Sequence, residues 1–175
     1  MRRYIEVPLQ VLDIEGEGFH IMVKGLIHGK EAHFLIDTGA SRSVFDPKTI
    51  STFIDDLQFE KKEGLTAGVG SSDLEAATFM IDTFSIGNTE FHDYEAVALD
   101  LENIHEMYDK LGLPHIDGII GGVLLRRHKA IINYKNKKLR LTPYGINPSP
   151  PLRLLSSESP LPELPLSHTL RQDIA

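Results

Sequence analysis

The chain has 175 residues, a formal net charge of −7 and no cysteine. That length sets an expectation of about one domain with a core of its own, and the missing cysteines exclude a disulfide-stapled scaffold and thiol catalysis, leaving a cytoplasmic setting as the expectation. The acidic balance works against sequence-independent nucleic-acid binding, and no apolar run is long enough to cross a membrane.

At the start, Met1-Arg2-Arg3-Tyr4-Ile5-Glu6-Val7-Pro8 has two basic residues without an uninterrupted apolar segment after them, so no signal peptide is expected. Strands are expected over 4–14 and 19–29, joined by a turn at Gly16-Glu17-Gly18, and a third over 32–37. In that third strand Ala32, Phe34 and Ile36 alternate with His33, Leu35 and Asp37, a period of two whose end delivers Asp37 into Thr38-Gly39-Ala40-Ser41. Gly39 permits a tight loop, and backbone N–H groups with the hydroxyls of Thr38 and Ser41 can hold an ionised carboxylate in one orientation. An ordinary Asp-Gly turn is the alternative for the bare triplet. Ser41 and Ser43 stand in no Gly-x-Ser-x-Gly arrangement, which disfavours a serine nucleophile.

Further along, Gly64-Leu65-Thr66-Ala67-Gly68-Val69-Gly70 and Ala76-Ala77-Thr78-Phe79-Met80-Ile81 read as a hairpin with a glycine-rich tip. Gly68, Val69 and Gly70 are its candidate substrate-covering residues, with a plain hairpin turn as the alternative. No Gly-Lys-Ser/Thr follows, so this is not a phosphate loop. Leu101, Ile104, Tyr108 and Leu111 recur at helical spacing, predicting an amphipathic helix over 101–111 with Asp100 as N-cap and Gly112 and Pro114 ending it. That segment either shapes a cleft or a dimer edge or simply packs. The eight histidines are scattered and none falls in a His-Glu-x-x-His arrangement, so no metal and no organic cofactor is expected.

Asp117-Gly118-Ile119-Ile120-Gly121-Gly122 then reads as a buried strand running into a glycine turn. After it come a short helical stretch over 123–128, a strand over 130–134, a turn at 135–137 and a strand over 138–141. The basic residues of this stretch, Arg126 to Lys129 and Lys135 to Arg140, read as a solvated helix face and hairpin tip, because no interleaved aromatics or recognised motif accompany them. From Pro143 onwards seven of the ten prolines occur without sustained periodicity, so 143–175 is expected to be an extended or disordered tail beyond a domain at 1–142. Its leucines suit a groove, including a cleft of its own chain.

His33 to Ser41, followed some eighty residues later by Asp117 to Gly122, resembles the paired signatures of the retropepsin-like aspartic proteases, specifically the bacterial single-domain members, over roughly residues 4–142. The resemblance implies an all-β acid-protease fold, a closed β-barrel with a flap hairpin and one or two short helices. It implies peptide-bond hydrolysis by two aspartates, Asp37 as the catalytic residue, and Thr38 bracing the loops across a dimer axis. Gly118, Ile119, Ile120 and Gly121 become packing residues beside the catalytic loop, and Asp117 is assigned a structural role. Because the chain holds a single Asp-Thr-Gly, the resemblance implies a homodimer in which two copies of Asp37 meet at a two-fold axis, with a peptide or protein as substrate. A non-catalytic dimeric peptide-binding or assembly module on the same fold is the alternative.

Overall fold

The computed structural model describes residues 4–16, 18–66 and 75–143. Eleven strands and three helices are found among them. The chain opens with β1 (Ile5–Pro8) and β2 (Gln10–Asp13), then the hairpin β3 (Phe19–Ile27) and β4 (Lys30–Ile36), a short β5 (Val44–Phe45) and a one-turn helix α1 (Pro47–Ile50). Next come β6 (Glu60–Thr66), β7 (Glu75–Ile86), β8 (Thr89–Ala98), α2 (Glu102–Lys110), β9 (Gly118–Ile120), α3 (Gly122–Arg127), β10 (Ile131–Asn133) and β11 (Lys138–Leu141).

Strands β3, β4, β9, β5, β8 and β7 pair in that order, and β7 pairs back onto β3 through Gly25↔Ile86, Leu26↔Ser85 and Ile27↔Phe84, closing a six-stranded barrel. Closure removes the open edges that a flat sheet of this size would present. A second sheet, ordered β1-β11-β10, covers one side. The barrel interior is filled by Val23, Phe34, Ile36, Phe45, Phe79, Ile81, Phe84 and Ile120. Phe34 meets Phe45 and Phe84 edge-on at 6.3 and 5.9 Å, and Phe84 stacks on Phe91 at 4.5 Å.

Several boundaries differ from the sequence expectation, each for a local reason. The strand expected over 4–14 is two strands in different sheets. Pro8 has no N–H to continue a ladder, and buried Leu9 instead donates its N–H to the Lys137 carbonyl at 2.9 Å. The next two strands are joined by His28-Gly29, both at positive φ (47° and 79°), the two-residue turn whose twist suits a hairpin. A third helix, α1, exceeds the one or two expected. Asp46 caps it by accepting the Thr49 N–H at 2.9 Å, and Pro47 occupies its first turn.

Helix α2 begins at Glu102 with Leu101 in the cap position, so Asp100 is not its N-cap; the Asp100 carboxylate accepts the Glu102 N–H at 2.8 Å from one residue further out. The long hairpin of β7 and β8 turns at Gly87, where φ is +58°, and the β8 half had no counterpart in the sequence reading. The glycine-rich tip assigned to Gly68, Val69 and Gly70 lies outside the described residues, as does the tail from 144 onwards; the arms that frame the tip pair Thr66 with Glu75.

Candidate active site

Asp37 follows β4 directly. β4 runs parallel to β9 in the register Phe34↔Gly118, Leu35↔Ile119 and Ile36↔Ile120, and the Asp37 N–H continues this ladder to the Ile120 carbonyl at 3.0 Å. Ala32, Phe34 and Ile36 therefore point into the barrel, while His33, Leu35 and Asp37 stand on the opposite face. The Asp37 side chain is half-buried, and its Oδ1 accepts the Gly39 N–H at 2.8 Å. This bond fixes the carboxylate against its own loop. Thr38, Gly39 and Ser41 are exposed and Ala40 is half-buried.

The loop is held from behind by the β9–α3 junction. Gly122 donates its N–H to the Ala40 carbonyl at 2.7 Å, and Val123 donates to the Ser41 carbonyl at 3.0 Å. Gly121 sits so close that a Cβ there would stand 2.5 Å from the Arg42 carbonyl carbon and 2.9 Å from the Ala40 oxygen, so only glycine fits without moving the loop. At Gly118 a Cβ would run into the Phe45 ring. Ile119 and Ile120 are both buried, Ile120 in the barrel core and Ile119 on the face that carries Leu35.

Asp117 lies elsewhere. Its Oδ2 accepts the His33 N–H at 2.7 Å and its own N–H donates to the His33 carbonyl at 2.9 Å. That location is four strand positions before Asp37, ~13 Å away at the usual strand rise. Asp117 is buried and ties the start of β9 to β4, with the His33 and His115 rings 3.6 and 4.0 Å from its oxygens. The two acids of the sequence signatures are thus not brought together within one chain.

Sequence reasoning missed four residues around the loop. Ser43, buried at 1% exposure, accepts the Gly121 N–H at 3.2 Å and shares a 2.8 Å hydrogen bond with the Tyr94 hydroxyl from β8. Burial pushes the Tyr94 phenol up, outweighing its bond to Ser43, so it stays neutral. Arg42 reaches Glu95 on β8 at 2.6 Å. Nothing in the spacing of positions 42 and 43 to 94 and 95 announces these pairs, because they are set by β5 and β8 lying parallel (Val44↔Val97). Among the described residues no group of three or more His, Asp or Glu side chains is arranged to hold a metal ion.

A family model described as aspartyl protease matches residues 23–123, more than half of the chain and all of the strands and loops that place Asp37. The chain belongs to the aspartyl protease family. No curated protein matches it in sequence. Among solved structures it is similar to a retropepsin-like aspartic protease from Rickettsia conorii, at 20% identity and a TM-score of 0.49, covering 81% of this chain and 91% of that one. It is also similar to the retroviral protease-like domain of Ddi1 from Leishmania major (16% identity, 70% and 90% covered, TM-score 0.45) and to EIAV protease bound to an inhibitor (18% identity, 70% and 99% covered, TM-score 0.47).

Proposed function

We propose that this family member is an aspartic endopeptidase acting as a homodimer, with the Asp37 carboxylates of two chains as its acid and base. The observation that carries the reading is the placing of Asp37: half-buried at the end of β4, oriented by the Gly39 N–H, on a loop locked by Gly121 and Gly122. Such a carboxylate is held for use rather than spent on the fold, in contrast to Asp117.

Hydrolysis of a peptide bond needs one group to take a proton from water as its oxygen attacks the carbonyl carbon. It needs another to give a proton first to the carbonyl oxygen and then to the departing amine. Two carboxylates held close share one proton, because both cannot ionise easily, and such a pair fills both roles. With one Asp-Thr-Gly per chain, the second carboxylate comes from a second copy.

An edge suited to that second copy supports the reading. Among the described residues β10 is the outer strand of the sheet β1-β11-β10, with Ile131 53% exposed, followed by Tyr134 at 53%. β10 is reached directly from α3, whose first residues bond the Asp37 loop, and Val123 on α3 is exposed as well. Strand edges without charged residues of their own favour pairing with another chain, and antiparallel pairing of β10 with its copy is compatible with a two-fold axis.

The test is cleavage of a peptide library from acid to neutral pH by the wild type and Asp37→Asn, with light scattering on the same samples. Cleavage by wild-type dimers that is lost in Asp37→Asn dimers supports the enzyme. A stable dimer that binds peptides without cutting them supports the alternative, a peptide-binding module.

A further inference from the structure

Just past the end of β4 the strand ladder beside Asp37 hands over to a side chain. The Asp37 N–H still reaches the Ile120 carbonyl at 3.0 Å, but the next amide of the neighbouring segment, that of Gly121, donates to the Ser43 hydroxyl at 3.2 Å. Ser43 is buried and directly precedes β5, whose own residues Val44 and Phe45 are apolar. A hydroxyl buried at such a place costs free energy unless it is bonded, and alanine would pack there without needing a partner. What the hydroxyl supplies is an acceptor for the Gly121 N–H, a backbone donor that burial would otherwise penalise.

Ser43 is itself held from β8. Its carbonyl accepts the Val97 N–H at 3.0 Å, and its hydroxyl shares the 2.8 Å bond with Tyr94, whose ring stands edge-on to Phe84 of the barrel core at 5.2 Å. In either sense of the hydroxyl bond, Ser43 Oγ keeps a lone pair for the Gly121 N–H. The preceding residue, Arg42, meets Glu95 at 2.6 Å, so two successive residues after the Asp37 loop are tied to two successive residues of β8. The Arg42 carbonyl is also the group against which Gly121 is pressed, and the Ala40 carbonyl takes the Gly122 N–H at 2.7 Å. The contacts that space the Asp37 loop from the β9–α3 junction thus gather around Ser43.

We propose that Ser43 and Tyr94 are positioning residues for the reaction: their hydroxyl pair fixes the Gly121 amide, and through it the place at which the loop presents the Asp37 carboxylate. The inference rests on the peptidase reading and deepens it by making β8 part of the frame of the site. Two carboxylates that share one proton tolerate little displacement, so a brace that touches neither of them still bears on the rate.

The experiment uses the full chain with two hydroxyl deletions. Ser43→Ala removes the acceptor and little volume. Tyr94→Phe keeps the ring on Phe84 and removes only the hydroxyl, and it serves should Ser43→Ala fail to fold. Ser43→Ala should lower kcat by about 10-fold or more while KM stays within about two-fold, because the reacting groups move and the peptide-binding surface does not. Tyr94→Phe should act in the same direction, and the double variant should be worse than Ser43→Ala by no more than about two-fold, as expected of groups acting through one bond. Ile81→Val, in the barrel core, is the control that should lower Tm and leave kcat as it was. A kcat that follows Tm alike in the control and in the hydroxyl variants, or effects of the two deletions that simply multiply, would overturn the positioning role. Amide hydrogen exchange at Asp37 and Gly122, whose own bonds do not involve Ser43, is read on the same samples and needs no activity. Ser43→Ala should speed it by about 10-fold beyond the control at both amides. If the wild type cleaves nothing, the peptidase reading falls and exchange alone decides: acceleration keeps the hydroxyl pair as the brace of the Asp37 loop. Unchanged exchange overturns the brace whether or not the wild type cleaves.

Discussion

Replacing Gly121 with alanine tests whether the loop that carries Asp37 is positioned by the close approach behind it. The added methyl would stand 2.5 Å from the Arg42 carbonyl carbon and 2.9 Å from the Ala40 oxygen, both backbone atoms with no rotamer to escape into. To restore ordinary contact the loop must retreat by about 1 Å, a strain of the overpacking kind that costs about 2–3 kcal/mol. For a domain of this size that is a fall in Tm of about 4–12 °C. A displacement of about 1 Å at a reacting carboxylate should also lower kcat/KM by about 100-fold in the protein that remains folded. Gly122→Ala is the internal comparison. There the new methyl would meet the Ala40 oxygen at 3.4 Å, and alanine suits the first turn of α3, so stability should hold or rise slightly. Calorimetry and peptide kinetics on both variants decide the matter. Equal stability and equal activity of the two would refute the claim that the β9–α3 junction sets the loop that carries Asp37.

Two further perturbations address the fold and the assembly. His128 is buried against the edge of Phe91, and burial lowers its pKa, with the Thr142 carbonyl opposing the shift and Arg127 adding to it. The folded protein then binds the proton less readily than the unfolded chain, so this residue's contribution is at its best above pH 6.5 and is lost as pH falls from there towards the lowered value. Thermal melts should show that decline and His128→Gln should flatten it; an identical pH slope in the variant would contradict the assignment. Because the chain has no cysteine, single cysteines at Ile131, Ile132 or Asn133 report on the β10 edge directly. At least one should form an inter-chain disulfide under mild oxidation, whereas dimers by light scattering with no cross-link at any of the three would place the interface elsewhere.

Much of the local structure around Asp37 could be read from residue order alone, because its logic is local. The alternation of Ala32, Phe34 and Ile36 against His33, Leu35 and Asp37 defines a strand with one buried face, and Gly39 ends it in a turn. The apolar pair Ile119 and Ile120 with Gly121 defines the strand that runs beside it. What could not be read depends on partners distant in sequence. Ser43 becomes a bridge between Gly121 and Tyr94 only once β5 lies between β9 and β8. Leu9 leaves its strand because the Lys137 carbonyl is waiting, and Asp46 matters for α2 because the chain returns to it 55 residues later. Helix α2 showed its period in the sequence, yet its place against Leu35 and Ile119 follows from His20, Met22 and Ile116, which no periodicity connects.

The central claim is that two copies of Asp37 form one reacting pair, and mixed dimers test it most directly. Wild-type and Asp37→Asn chains are unfolded together, refolded at equal amounts and assayed at constant total protein. If each active site needs both carboxylates, random pairing about a two-fold axis leaves about one quarter of the wild-type activity. Activity of about one half, linear in the wild-type fraction, would mean that each chain carries a complete site, and the shared-site account would be wrong.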